Sequence, residues 1–109
     1  MIKVSVIPSQ RKVIATLNNC EADAFYTIRK RLPQYIEIDA YMFMIKPAYK
    51  AIVKCHPDDE FDAAIGEEIA RKRVIAKYNR DMARLLKKVS ADLRESVSKI
   101  EAVTEVFEG

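Results

Sequence analysis

The chain has 109 residues, half of them apolar and about a third charged, with a formal net charge of +3. That composition suits one globular domain with a core of its own and excludes a disordered chain. Two cysteines, Cys20 and Cys55, are too few for a disulfide scaffold and fit a reducing compartment. In chain order, Ile2 to Ile7 and Lys12 to Leu17 are runs rich in β-branched residues separated by Pro8-Ser9-Gln10-Arg11, the pattern of a β-hairpin. Asn18 or Asn19 is placed to cap a helix from about Glu21 to Leu32, with Ala22, Phe25, Ile28 and Leu32 on its apolar face. Arg29, Lys30 and Arg31 fall in its last turn, where cations suit the helix dipole, and Pro33 ends it. Tyr35 to Ile45 alternates in part and then turns wholly apolar, which predicts a strand that becomes buried; after Pro47, Tyr49 to Cys55 predicts another.

The expected fold class is therefore α+β. Residues 1–55 form a ββαββ core with a small antiparallel sheet, and residues 56–109 a capping turn and a long amphipathic helix, all in one domain. Asp59 or Asp62 is the expected N-cap of that helix, and only Gly66 interrupts the pattern before the terminal glycine. Its apolar residues point two ways. Phe61, Ile65, Ile69 and Ala76 share one direction, whereas Tyr78, Met82, Leu85, Val89, Leu93 and Ile100 share another, so the helix either kinks near Ala70 to Val74 or changes packing partner. The second stripe has coiled-coil-like spacing and predicts a homodimer in which these residues pair.

Charge is segregated along the chain. His56 to Ala70 carries six acids and no Lys or Arg; Arg71 to Lys88 carries eight bases against the single acid Asp81; Ser90 to Gly109 carries five acids and two bases. Within the basic block, Arg73, Lys77, Arg80, Arg84 and Lys87 repeat in steps of four and three. They share a sector of roughly 80° on a helix segment about 21 Å long. Together with Lys88, and with Arg29, Lys30 and Arg31 as a second basic patch, they are the candidate surface for a nucleic acid or an acidic protein. The competing reading is a solvated face, neutralised in a dimer by the acidic tail residues Glu101, Glu105 and Glu108.

Other constellations are weaker. Cys55 and the lone His56 are neighbours on a strand terminus and point to opposite sides, which disfavours a nucleophile–base pair. Cys20, Cys55 and His56 fall short of a four-ligand zinc site, and the nearby acids read as helix caps, so neither a metal, a cofactor nor an enzyme is expected. Tyr26, Tyr35, Tyr41, Tyr49 and Phe43 offer a stacking surface in principle, although partial burial accounts for most of them. Neither a signal-peptide pattern nor a membrane-length apolar run occurs, and a soluble cytoplasmic protein is expected.

Lys54, Cys55, Pro57, Asp59, Phe61, Asp62, Gly66, Ala70 and Arg73 spell K-C-x-P-x-D-x-F-D-x-x-x-G-x-x-x-A-x-x-R. This segment, about a quarter of the chain, resembles one found in small uncharacterised proteins of phages and prophages of Gram-positive bacteria. The resemblance implies a phage or mobile-element accessory protein acting in a bacterial host cell. That gene pool also supplies inhibitors of host defence, so an anti-CRISPR protein directed at a Cas nuclease is its most concrete implication. A direct DNA- or RNA-binding regulator and a phage assembly component are the alternatives. Physically the motif reads as scaffold: Pro57 stops a strand, an aspartate caps a helix, Phe61 plugs the junction and Gly66 lets helix and sheet approach.

Overall fold

The computed structural model describes the backbone of residues 2–108 and the side chains of residues 2–101. The fold is α+β: three antiparallel strands and a long C-terminal helix. Strands β1 (Ile2–Ile7) and β2 (Lys12–Leu17) form the expected hairpin, joined by a single 3-10 turn at Pro8–Gln10. Arg11 closes that turn in the left-handed region (φ 52°), its N–H donating to the Pro8 carbonyl at 3.0 Å. Strand β3 (Tyr49–Lys54) pairs with β2 in the order β1-β2-β3. The pleat sends Val13, Ala15, Tyr49 and Ala51 into the core, while Lys12, Ile14, Lys50 and Ile52 take the other face.

Helix α1 (Cys20–Arg31) starts at Asn19, which holds a left-handed conformation (φ 57°) and makes no side-chain cap. It buries Cys20, Ala24 and Ile28, whereas Ala22 and Phe25 of the expected apolar face are exposed. The segment expected as a strand from Tyr35 to Ile45 is instead a turn followed by a 3-10 helix at Ile38–Met44, so the core is not ββαββ. The reason lies in its spacing: Ile38, Tyr41 and Met44 recur every third residue and all pack on the core, which is the period of a 3-10 helix. Arg29 supports the preceding turn by donating from its guanidinium to the carbonyls of Pro33 and Ile36.

Helix α2 (Ala63–Glu108) is one uninterrupted element of 46 residues, about 69 Å long, in a molecule measuring 74 × 25 × 17 Å. Asp62 caps it, its Oδ1 accepting the N–H groups of Ala64 (3.0 Å) and Ile65 (3.3 Å). The helix is continuous through Ala70 to Val74 and changes packing partner along its length. Gly66, Ala70 and Val74 lie against the sheet, followed by Tyr78, Met82, Leu85, Val89 and Leu93 against α1 and the 3-10 helix. Ile65 and Ala76, expected on the packed face, are exposed, Ile65 by 57%. Small residues decide this orientation: a Cβ on Gly66 would sit 2.7 Å from Val13 Cγ2, so the close approach expected there is present. The stripe expected to pair in a homodimer is thus occupied within the chain from Tyr78 to Leu93; Leu85 and Val89 are buried. Among the described residues, no helix is long and apolar enough to cross a membrane.

Three tyrosine–aspartate hydrogen bonds tie α2 to its supports. Tyr78 donates to Asp23 of α1 (2.9 Å), Tyr49 of β3 to Asp81 (2.6 Å), and Tyr41 of the 3-10 helix to Asp92 (2.7 Å). The Tyr49 and Tyr78 rings also meet edge to face, 5.6 Å between centroids.

Candidate nucleic-acid interface

Because α2 turns Val74, Leu85 and Val89 inward, it turns Arg73, Lys77, Arg80, Arg84, Lys87 and Lys88 out into solvent, all of them exposed. Some are engaged. Lys77 Nζ donates to the Lys50 carbonyl at 2.7 Å, Arg84 lies 3.6 Å from Asp81, and Lys88 lies 3.1 Å from Asp92. Arg73, Arg80 and Lys87 meet no acid or acceptor among the described residues.

The middle of the row borders an open cleft of about 670 Å³ between α2, the end of the 3-10 helix and the start of β3. Lys46, Lys77, Arg80 and Arg84 supply four cations to its wall, and Asp81 is the one carboxylate there. Asp81 faces inward, its side chain 14% exposed, held by Tyr49 from beneath and by Arg84 from the rim. Tyr49 in turn accepts the Lys46 N–H at 3.1 Å, and the Lys46 ammonium stands 6.0 Å above its ring. Burial first, and then the Asp81 carboxylate, push the Tyr49 hydroxyl up to about 12, so it remains a donor throughout the physiological range. Burial and Asp23 push Tyr78 up in the same way. At the far end, the Tyr41 hydroxyl and Lys88 hold the Asp92 carboxyl below its ordinary value. Phe43 stands at the cleft mouth, 84% exposed, a bare ring beside fixed cations.

The second predicted patch is not part of this site. Arg29 is committed to the turn carbonyls, Lys30 sits 4.2 Å over the Tyr26 ring, and neither they nor Arg31 line the cleft. Of the candidate stacking residues, Tyr41 and Tyr49 are spent on Asp92 and Asp81. Lys46 and Lys50 were not among the predicted site residues. Their signal was visible, since Lys50 and Lys54 alternate with the apolar residues of β3, but only the fold places Lys46 and Lys50 beside α2.

Around Cys55 and His56, Arg11 and backbone groups hold the turn together. Arg11 reaches across to the Cys55 sulfur at 3.5 Å and to the carbonyls of His56 and Asp59, while the Cys55 N–H donates to the Arg11 carbonyl at 2.8 Å. His56 Nδ1 accepts the Asp58 N–H rather than serving the thiol, and Cys55 is half-buried rather than fully buried. Among the described residues, no cluster of three His, Cys, Asp or Glu side chains is placed to hold a metal ion. The side chains of Glu105 and Glu108, candidates for neutralising the basic row, lie outside the described residues. Comparison with known protein families, with curated proteins and with solved structures returned no match, so the functional reading rests on the chain's own geometry.

Proposed function

We propose that this protein is a non-enzymatic binding module whose basic α2 face engages the phosphates of a nucleic acid. One observation carries the reading: Arg73, Arg80 and Lys87 are uncompensated cations on a helix that is anchored to the core, in register with Lys77 and Arg84. A row of this kind recognises charge and spacing rather than sequence, so binding should be salt-dependent and broad. The test is titration of labelled duplex DNA, single-stranded DNA and structured RNA at 50 and 200 mM salt. Arg80→Ala with Arg84→Ala removes two phosphate contacts and should reduce the log–log salt slope by about 1.8. Absence of binding even at the lower salt refutes the reading.

The resemblance carried by Lys54 to Arg73 favours one setting for such binding, a phage accessory protein that acts on a host defence nuclease. There the basic face would meet the nucleic acid that a Cas nuclease holds, or an acidic surface of that nuclease. Inhibition of guided cleavage by the wild-type chain but not by the Arg80/Arg84 double variant supports this setting. Undiminished cleavage removes it and leaves general nucleic-acid binding in place.

A further inference from the structure

Among the described residues, no helix packs on the outer face of the sheet. Both helices and the 3-10 segment pack on the side defined by Val13, Ala15, Tyr49 and Ala51. Strand register brings Lys3, Lys12, Lys50 and Lys54 together on the opposite side around Ile14 and Ile52, and no acidic residue and no aromatic ring stands among them. Lysines on edge strands are common devices against edge-to-edge aggregation, which accounts for Lys3, Lys50 and Lys54. Lys12 is different. It lies on the central strand, directly opposite Lys54, and like charges paired across strands destabilise a sheet. Nothing in the fold compensates this pair: neither ammonium has an acid partner among the described residues.

We propose that this outer sheet face, with Lys3, Lys12, Lys50 and Lys54, is a second docking surface for the phosphate backbone of duplex nucleic acid, adjoining the α2 row at the free edge of β3. The inference deepens the nucleic-acid reading and rests on it. Three observations support the choice of occupant. The first is spacing: strands lie about 4.8 Å apart and rise about 3.4 Å per residue, so Lys3 and Lys50 sit about 10 Å apart across the sheet and Lys50 and Lys54 about 14 Å apart along it. That frame matches a major groove about 12 Å wide, with lysines aimed at both lips and Ile14 and Ile52 between them. The second is the lack of aromatic rings, which withholds the stacking that single strands need. The third is continuity: Lys77 donates to the Lys50 carbonyl at the unpaired edge of β3, so the helix row and the sheet face meet there.

The test compares wild type, Lys12→Ala/Lys54→Ala and Arg80→Ala/Arg84→Ala by fluorescence anisotropy, using a 20-base-pair duplex and the matching single strand. If the sheet face binds, the Lys12/Lys54 variant loses two contacts, and its drop in duplex affinity between 50 and 200 mM salt shrinks by about 12-fold. Lys12→Arg/Lys54→Arg should retain binding, and unchanged thermal melts exclude loss of fold as the cause. Duplex binding equal to wild type in the Lys12/Lys54 variant, with binding weakened in the Arg80/Arg84 variant, overturns the sheet surface and leaves the helix reading standing. No binding by wild type overturns both. A concentration-dependent dimer that the Lys12/Lys54 substitution dissociates would identify the face as a self-association surface and equally overturn the proposal.

Discussion

The placement of α2 hinges on one contact, and Gly66→Ala tests it. A Cβ at position 66 would lie 2.7 Å from Val13 Cγ2 and 3.6 Å from Val13 Cβ. Carbon atoms pack best at about 3.5 to 4.0 Å, so helix or strand must give by nearly an ångström. Val13 has little freedom to do so: it is fully buried, β-branched, and paired on both sides, with Val6 and with Val53. Overpacking of this kind costs about 1–3 kcal/mol, against about 1 kcal/mol gained by replacing glycine within a helix. The net expectation is a loss of about 1 kcal/mol, or about 4–8 °C in Tm for a domain of this size. Val13→Ala alone should cost more, about 2–3 kcal/mol, through lost methyl burial and a residual cavity. In that background the added methyl meets only the Cβ of residue 13, at an ordinary contact distance of 3.6 Å, and Gly66→Ala should then stabilise by about 1 kcal/mol. The cycle thus has a coupling energy of about 2 kcal/mol, measurable by urea denaturation followed by far-ultraviolet circular dichroism. Equal destabilisation by Gly66→Ala in both backgrounds, or a gain in the wild type, would refute the claim that this glycine sets the helix–sheet distance.

Two further expectations concern Tyr49 beneath the cleft and Arg29 away from it. Tyr49 has a folded-state pKa of about 12 against 10 for a free phenol, so its contribution to stability is full below pH 10 and is lost as the pH rises through 12. Alkaline difference spectra should contain a late tyrosine phase to which Tyr49 and Tyr78 both contribute, and Tyr49→Phe should lower its amplitude by one tyrosine; an undiminished amplitude would refute the assignment to Tyr49. Arg29→Ala removes a charged donor from the Pro33 and Ile36 carbonyls and should cost about 1.5 kcal/mol while leaving nucleic-acid affinity unchanged. A variant of native stability with weakened binding would return Arg29 to the interface.

Where periodicity was clean, the sequence was legible. The hairpin sets two β-branched runs on either side of Pro8 to Arg11, the Asp62 cap precedes a helical run, and the basic row keeps helical spacing, so each could be read from local pattern. The 3-10 segment escaped because apolar residues at every third position, mixed with Ile36 and Ile45, imitate an alternating strand whose end is buried. Helix α2 misled through residue size. Ile65 suggests a core face, yet it is exposed, while Gly66 and Ala70 are buried because only small side chains allow the helix so near the sheet. The clips Tyr41–Asp92, Tyr49–Asp81 and Tyr78–Asp23 join residues 51, 32 and 55 positions apart, and no local pattern announces such pairs. The lysine face was hidden for the same reason: Lys12 and Lys54 become neighbours only when β2 and β3 align.

Those tyrosine clips also account for the charge of α2. Between Arg71 and Arg94 the helix has two acids, Asp81 and Asp92, and both accept a hydrogen bond from a tyrosine of another element. Each carboxylate also meets one cation, Arg84 or Lys88, and reaches no other on the row. The acids that might have balanced the helix surface are thus turned toward its supports. Neighbouring cations at three- and four-residue spacing from Arg73 to Lys87 repel each other by about 0.2–0.5 kcal/mol per pair, a cost an isolated helix would meet by fraying. Here the burial of Val74, Leu85 and Val89 and the three clips hold the helix to the core, so the repulsion persists as a standing surface charge. On the proposed reading, a phosphate at Arg80 would gain twice: it would form its own contacts and relieve the repulsion between Arg80 and its neighbours Lys77 and Arg84. The same anchoring that makes α2 part of the core would let the proposed polyanion bind the opposite face without a folding step.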